Sequence, residues 1–209
     1  HTTAASENKH TVMIVEDNEN LRELIRHLLE SQFRIITAEE GQEAIQLLTE
    51  QSVDLVVSDI MMEGMDGLAL CQWIKNTFEY CHIPVILLTA KHGDSSRIEG
   101  YNSGADGYIT KPFSFQVLQA RIDNLLKQQD LRSSRYRNQV VIEVEKLDYT
   151  SMDEQFLRQA IACVNAHIAD SSFSRTDFVR EMNTSRTVLT EKLKSLTGLT
   201  PAAFVLDIR

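Results

Sequence analysis

Short apolar runs alternate along the first 127 residues with stretches where apolar positions recur every three or four residues. The runs are Thr11-Val12-Met13-Ile14-Val15, Arg34 to Ala38, Leu55-Val56-Val57-Ser58, Val85-Ile86-Leu87-Leu88 and Tyr108-Ile109-Thr110. Their length and bounding residues predict buried strands. Between them, Leu21, Leu24, Ile25, Leu28 and Leu29 recur at helical spacing. So do Ala44, Ile45, Leu47 and Leu48, and then Leu68, Cys71, Trp73 and Ile74. A fourth helix is predicted through Ile98 and Tyr101. A fifth runs through Phe115, Leu118, Ile122 and Leu125. Five strands alternating with five helices predict an α/β fold: a five-stranded parallel, doubly wound, flavodoxin-like sheet with both faces covered.

The strand ends carry the chemistry. The first run meets Glu16-Asp17, the third meets Asp59, the fourth meets Thr89, and the fifth meets Lys111-Pro112. Carboxyl ends of parallel strands share one edge, where open α/β sheets bind ligands. Carboxylates gathered there raise one another's pKa unless a cation offsets them. A metal site with a positive clamp is therefore expected. Singly, each of these residues reads as an ordinary loop, strand-end or turn residue; only their joint placement points to a site.

The pattern changes after Lys127. Residues 1–9 read as a tail, 10–127 as the first domain, 128–151 as a polar linker, and 152–209 as a small all-α segment. In that segment Phe156, Leu157, Ala160, Ile161, Val164 and Ile168 mark one helix. Ser174 to Met182 marks a second, with Phe178 and Val179 inward. After the turn Asn183-Thr184-Ser185, Ser185 can cap a third helix carrying Val188, Leu189, Leu193 and Leu196. Gly198 fits the position that ends it. Thr200-Pro201 then starts a fourth.

Charge sharpens this division. The whole chain carries −9, yet residues 128–209 hold 11 Lys+Arg and 11 Asp+Glu. All the excess negative charge lies in the first domain, so it does not exclude nucleic acid as a partner of the second. Cys71, Cys81 and Cys163 lack metal-ligand spacing and read as reduced thiols. His10, His27, His82, His92 and His167 likewise have no ligand spacing. No apolar run approaches the ~20 residues of a membrane span, and no signal peptide is visible. A cytoplasmic protein is expected, or the cytoplasmic portion of a membrane-bound one. The absence of an initiator Met suggests a segment of a longer polypeptide.

Five blocks, V-M-I-V-E-D, L-V-V-S-D-I-M-M, G-M-D-G, L-L-T-A and Y-I-T-K-P-F, occur in order over residues 10 to about 127. In them the chain resembles the CheY-like receiver domain of bacterial response regulators. The resemblance implies that Asp59 accepts a phosphoryl group from the phosphohistidine of a histidine kinase or of its phosphohistidine domain. It implies Mg2+ held by Asp17, Asp59 and the backbone carbonyl of Met61, with Glu16 acting directly or through water. Lys111 would pair with a phosphoryl oxygen, and Pro112 would follow a cis peptide. Thr89 and Tyr108 would form the switch pair, and the face of the fourth helix, fifth strand and fifth helix would respond, as a homodimer surface among other uses. Self-phosphorylation and dephosphorylation, rather than turnover, would be its chemistry. Glu63 stands where the family often has Pro, and this puts the phosphoryl lifetime in question.

The tail, in S-R-T-x-L, L-T-G-L-T-P and F-V-L-D-I-R, resembles the first helix-turn-helix of AraC-type transcription regulators, cut about halfway through that domain. By that resemblance the helix Ser185 to Leu196 enters the DNA major groove. Arg186, Thr187, Thr190, Glu191 and Lys194 are then the candidate DNA contacts. Residues 174–196 hold five Lys+Arg against three Asp+Glu, a slight basic excess. The joined parts suggest a phosphorelay regulator of transcription, or the C-terminal end of a hybrid histidine kinase. Two other readings remain. One is a receiver acting by protein contact alone. The other is a Mg2+-dependent aspartyl phosphatase, disfavoured because Glu16 and Asp17 are adjacent and the isolated Asp lies on the third strand.

Overall fold

The structure is a computed structural model and describes residues 9–90, 103–137, 151–170 and 172–209. The helix expected through Ile98 and Tyr101 and the extended stretch expected at 139–149 lie outside the described residues. The chain divides into two compact units: His1–Lys75 with Ile83–Leu125, and Asn76–His82 with Leu126–Arg209.

The first unit is built on a parallel sheet. Its strands are β1 (Thr11–Val15), β2 (Arg34–Ala38), β3 (Leu55–Asp59), β4 (Val85–Thr89) and β5 (Gly107–Thr110). Their order is β2-β1-β3-β4-β5, all parallel. Every residue of β1, β3 and β4 is buried, whereas edge strand β2 alternates. That is why the inner strands read as unbroken apolar runs. The order reverses at β1, leaving the crevice where such sheets bind ligands between the ends of β1 and β3.

Helices α1 (Glu19–Leu29), α2 (Gly41–Glu50) and α3 (Gly67–Asn76) follow the first three strands. Helix α4 (Phe115–Arg137) follows β5. The Asn18 side chain caps α1 by accepting from the Leu21 N–H at 3.0 Å. The buried stripe of α1 is narrower than its apolar pattern: Ile25 and Leu29 are buried, but Leu24 and Leu28 are exposed. Helix α4 also differs from expectation, because it continues past Lys127 to Arg137. Gln, Lys, Leu and Arg are good helix formers, so a stretch that looks like a linker by polarity is helical by propensity.

Among its described residues the second unit contains the end of α4 from Leu126 and the helices α5 (Ser151–Ala166), α6 (Arg175–Glu181), α7 (Arg186–Thr197) and α8 (Pro201–Ile208). Ser174 and Asp177 form a reciprocal capping box at α6, which satisfies two otherwise unpaired donors. Ser185 caps α7, Gly198 ends it at φ 71°, and Thr200 caps α8 ahead of Pro201. The turn before α7 contains Asn183 at φ 49°, a left-handed conformation that Asn tolerates. Phe156, Leu157, Ala160, Val164, Phe178, Leu189, Leu193, Leu196 and Phe204 form the core. Val188, expected there too, is only half-buried, and Ile168 is exposed beyond the end of α5.

Candidate functional site

The β1–β3 crevice collects the acids. Glu16 follows the last residue of β1 and is 1% exposed; Asp59 ends β3 and is 6% exposed. Asp17 is exposed to solvent. One carboxylate oxygen from each of Glu16, Asp17 and Asp59 can be chosen so that all three lie within 4.8 Å of one another. Among the described residues they are the group of His, Cys, Asp and Glu that satisfies this geometry.

Lys111 closes the cluster from β5. Its ammonium lies 2.8 Å from Glu16 Oε2 and 2.9 Å from Asp59 Oδ2. The Lys111–Pro112 peptide bond is cis. Burial pushes the Glu16 carboxyl above its ordinary pKa; Lys111 works against this and Asp59 adds to it. Burial also works against the Lys111 charge, but hydrogen bonds to Glu16 and Asp59 outweigh it and hold the ammonium above its ordinary value. Two nearby carboxylates and one ammonium leave an uncompensated negative charge, with the open side at Asp17. Such an all-oxygen, partly exposed donor set suits a hard divalent cation that retains water.

The remaining expected residues frame this edge. Thr89 ends β4 and is 1% exposed. Asp59 pairs in register with Leu88, the residue before Thr89. Tyr108 lies half-buried on β5, in register with Leu87. Met61 is exposed just beyond Asp59, and Glu63 is exposed in the following loop.

Two residues to which the sequence reading assigned no role hold the site together. Arg22 of α1 is buried, and its guanidinium donates to the Glu16 carbonyl at 2.7 Å and to Glu39 Oε1 at 2.8 Å. It thereby ties the loop after β1 to the loop after β2. Its signal was position, since it lies three residues before Ile25 on the inward face of α1. Gly67 opens α3 against the backbone of β3: a Cβ there would lie 2.0 Å from the Asp59 carbonyl oxygen. Only glycine permits that approach.

The residues expected to meet DNA are distributed less uniformly than anticipated. Arg186, Thr187 and Lys194 are exposed on α7, while Thr190 and Glu191 are half-buried. Thr190 Oγ1 accepts from Arg175 at 3.0 Å and donates to the Arg186 carbonyl at 2.7 Å. It therefore also serves the packing of α6 against α7. Lys192, between two of these candidates, is fully buried against Asp153. Its place beside Leu189, Leu193 and Leu196 on one helix face was the available signal.

Residues 12–123 match the family described as Response regulator receiver domain. The chain is 37% identical over 201 residues to Histidine kinase P4 of Formosa agariphila, covering 96% of this chain and 15% of that one. It is 32% identical over 162 residues to the heme response regulator HssR of Staphylococcus haemolyticus, covering 77% of this chain and 67% of the regulator. The receiver domain of a signal transduction histidine kinase from Syntrophus aciditrophicus superposes with a TM-score of 0.54 at 34% identity. That match covers 64% of this chain and 97% of that one. No described helix is long and apolar enough to cross a membrane.

Proposed function

Since the chain belongs to the response regulator receiver family, we propose that Asp59 accepts a phosphoryl group from a phosphohistidine donor and that the helical unit delivers the response to DNA. In the transfer, an Asp59 carboxylate oxygen forms the new P–O bond as the donor's P–N bond breaks. The released imidazole keeps the electron pair of that bond and takes up a proton. The observation that carries the reading is the convergence of Glu16, Asp17 and Asp59 with Lys111 spanning two of them.

Each residue has a physical role. Asp59 is the nucleophile, a carboxylate held in place by its ion pair. Lys111 is a compact charge able to exchange a carboxylate oxygen for a phosphoryl oxygen. Glu16, Asp17, Asp59 and the Met61 carbonyl would hold Mg2+, which when bound supplies charge to offset repulsion between anionic donor and anionic acceptor. Thr89 and Tyr108 read out the event: the hydroxyl turns toward the phosphoryl group, and the ring takes the space released. Phosphorylation must favour one packing over the other for this to work.

The test is intact mass after incubation with Mg2+ and a small acyl phosphate. Wild type gains the mass of one phosphoryl group, and Asp59→Asn gains none. Equal uptake by both sinks the assignment.

For output, we infer an AraC-type helix-turn-helix with α7 as the groove helix and Arg186, Thr187, Thr190, Glu191 and Lys194 toward DNA. Support comes from the capped α6–turn–α7 arrangement and from a transcriptional regulatory protein relative, GltR of Pseudomonas aeruginosa, at 33% identity over 147 residues. The chain spans 15% of the Formosa kinase, and a hybrid kinase parent fits that relationship. Binding to a DNA duplex should weaken steeply with salt. A flat salt response, measured by fluorescence anisotropy, would favour the alternative that the output is a protein contact. The exposed Leu24 and Leu28 on α1 and the neutral charge balance of residues 128–209 are the observations behind that alternative.

A further inference from the structure

The three acids at the sheet edge are held in place by different means. Glu16 is fixed through its side chain, by the Lys111 ammonium at 2.8 Å and by the Asn18 N–H, which donates to it at 3.3 Å. Asp59 is fixed by Lys111 at 2.9 Å. Asp17 is exposed to solvent, so its carboxylate is placed by the backbone that carries it.

That backbone is held from α1. Arg22 is buried, and one arm of its guanidinium, Nη1, donates to the Glu16 carbonyl at 2.7 Å and lies 3.5 Å from the Asp17 carbonyl. The other arm, Nη2, donates to Glu39 Oε1 at 2.8 Å. Glu39 directly follows β2, and its own N–H donates to Glu43 Oε2 at 2.7 Å, which ties it to the first turn of α2. The next two residues reach the loop after β3. A Cβ on Gly64 would lie 2.8 Å from Glu40 Oε2, and one on Gly41 would lie 2.7 Å from Met65 Cγ. One guanidinium therefore braces the loop after β1 against the loop after β2, which in turn packs on the loop that contains Met61.

Charge and geometry act in opposite directions here. A guanidinium close to a carboxylate cluster repels a divalent cation, so its charge alone lowers cation affinity. Its fork does the reverse by keeping the Asp17 backbone in one position. We propose that Arg22 is a positioning residue for the divalent cation: its two arms fix the Glu16–Asp17 backbone, and with it the spacing of the three carboxylates. The proposal rests on the reading of Glu16, Asp17 and Asp59 as a Mg2+ site. Groups that hold metal ligands in place are commonly worth about tenfold to a hundredfold in affinity.

Mg2+ binding to the full chain, measured by isothermal titration calorimetry with no phosphoryl donor present, separates the two effects. Arg22→Met should weaken binding about tenfold or more, although it removes a positive charge. Arg22→Lys keeps the charge but replaces a planar fork by one ammonium, and should weaken binding by a similar factor. Glu39→Gln keeps an acceptor for Nη2 and removes only an exposed charge, so binding should change by less than about twofold. In uptake from an acyl phosphate, the half-saturating Mg2+ concentration should rise in Arg22→Lys by the factor seen in calorimetry, with a far smaller change in the rate at saturating Mg2+. Tighter binding by Arg22→Met, or wild-type binding by Arg22→Lys, overturns the proposal alone, because Arg22 then acts through its charge. If Arg22→Met does not fold, Arg22→Lys and Glu39→Gln still decide: equal losses in those two variants point to charge and overturn the proposal. A wild-type chain that binds no Mg2+ overturns the cation reading, and the proposal with it.

Discussion

Lys111 and Lys192 are both lysines held by carboxylates, and the difference between them separates chemistry from architecture. Lys111 sits at the end of β5, with its side chain 20% exposed and two acids sharing its charge. Lys192 sits in the middle of α7, with its side chain 0% exposed and one acid at 3.2 Å. An ammonium at an open edge can trade a carboxylate for an incoming anion, because water compensates both states during the exchange. A sealed ammonium has no such freedom, so any change in its surroundings becomes a change in packing. The first arrangement is suited to recognising a phosphoryl group. The second is suited to holding a helix in one position.

The largest expected effect tests that contrast directly. Lys192→Met removes the ammonium 3.2 Å from buried Asp153 and should destabilise the helical unit by about 3–5 kcal/mol. Replacing Asp153 by Leu in the same protein should restore most of it. Lys111→Met, at the partly exposed site, should change the urea midpoint far less. Equal losses for the two single variants would erase the distinction between the lysines.

A smaller loss is expected at the start of α3. Gly67→Ala places a methyl group against the Asp59 carbonyl, and the backbone shift should cost about 1–3 kcal/mol. If thermal melting shows no loss, α3 is not packed as closely on the Asp59 backbone as the 2.0 Å approach of a Cβ implies. Below that in size lies the α7 cap. Ser185→Ala removes the acceptor for the Val188 N–H and should cost about 1 kcal/mol. That loss should appear in the unfolding of the helical unit and leave phosphoryl uptake unchanged.

The mildest perturbation concerns Cys163, a half-buried thiol on α5. Burial, then the Glu181 carboxylate 3.5 Å away, push it from the ordinary 9.0 up to about 11. The raised value means the neutral thiol persists until pH approaches 11, so about a hundredfold less thiolate exists at pH 8 than for an ordinary cysteine. Alkylation of Cys163 should therefore be slow at pH 8 and rise about tenfold per pH unit below its pKa. Glu181→Gln should accelerate it. A rate matching a free thiol would contradict the environment described for this helix pair.

The acidic site was legible because each of its residues terminates an apolar run, and strand ends of a parallel sheet share an edge by construction. Glu16, Asp17, Asp59 and Lys111 could be placed together before any coordinates. Arg22 and Lys192 were not legible in the same way. Their charges argue for solvent, and only tertiary packing supplies the carbonyls and carboxylates that make burial tolerable. Leu24 and Leu28 err in the opposite direction: periodicity marks them as inward, but the stripe that the sheet covers is only as wide as Ile25 and Leu29 require. Helix α4 extends past its expected end because polarity suggested a linker where helix propensity favoured continuation. For α6 to α8 the caps were readable, since Ser174, Ser185, Gly198 and Thr200 act through their own backbone neighbourhood and need no distant partner.

The strand order has a consequence for when the site exists. All four pairings, β2–β1, β1–β3, β3–β4 and β4–β5, are parallel, so none is a hairpin and each needs a crossover connection. Glu16, Asp59 and Lys111 come from three distant stretches of chain, and the loops between them must close before any two can meet. An unfolded chain offers a divalent cation only scattered single carboxylates. A divalent cation held by these acids would therefore bind only the assembled sheet, and dissolved Mg2+ should then raise the unfolding temperature of the first unit by mass action. Asp17→Asn should blunt that rise, which makes melting in a Mg2+ series a measure of the site that requires no phosphoryl donor.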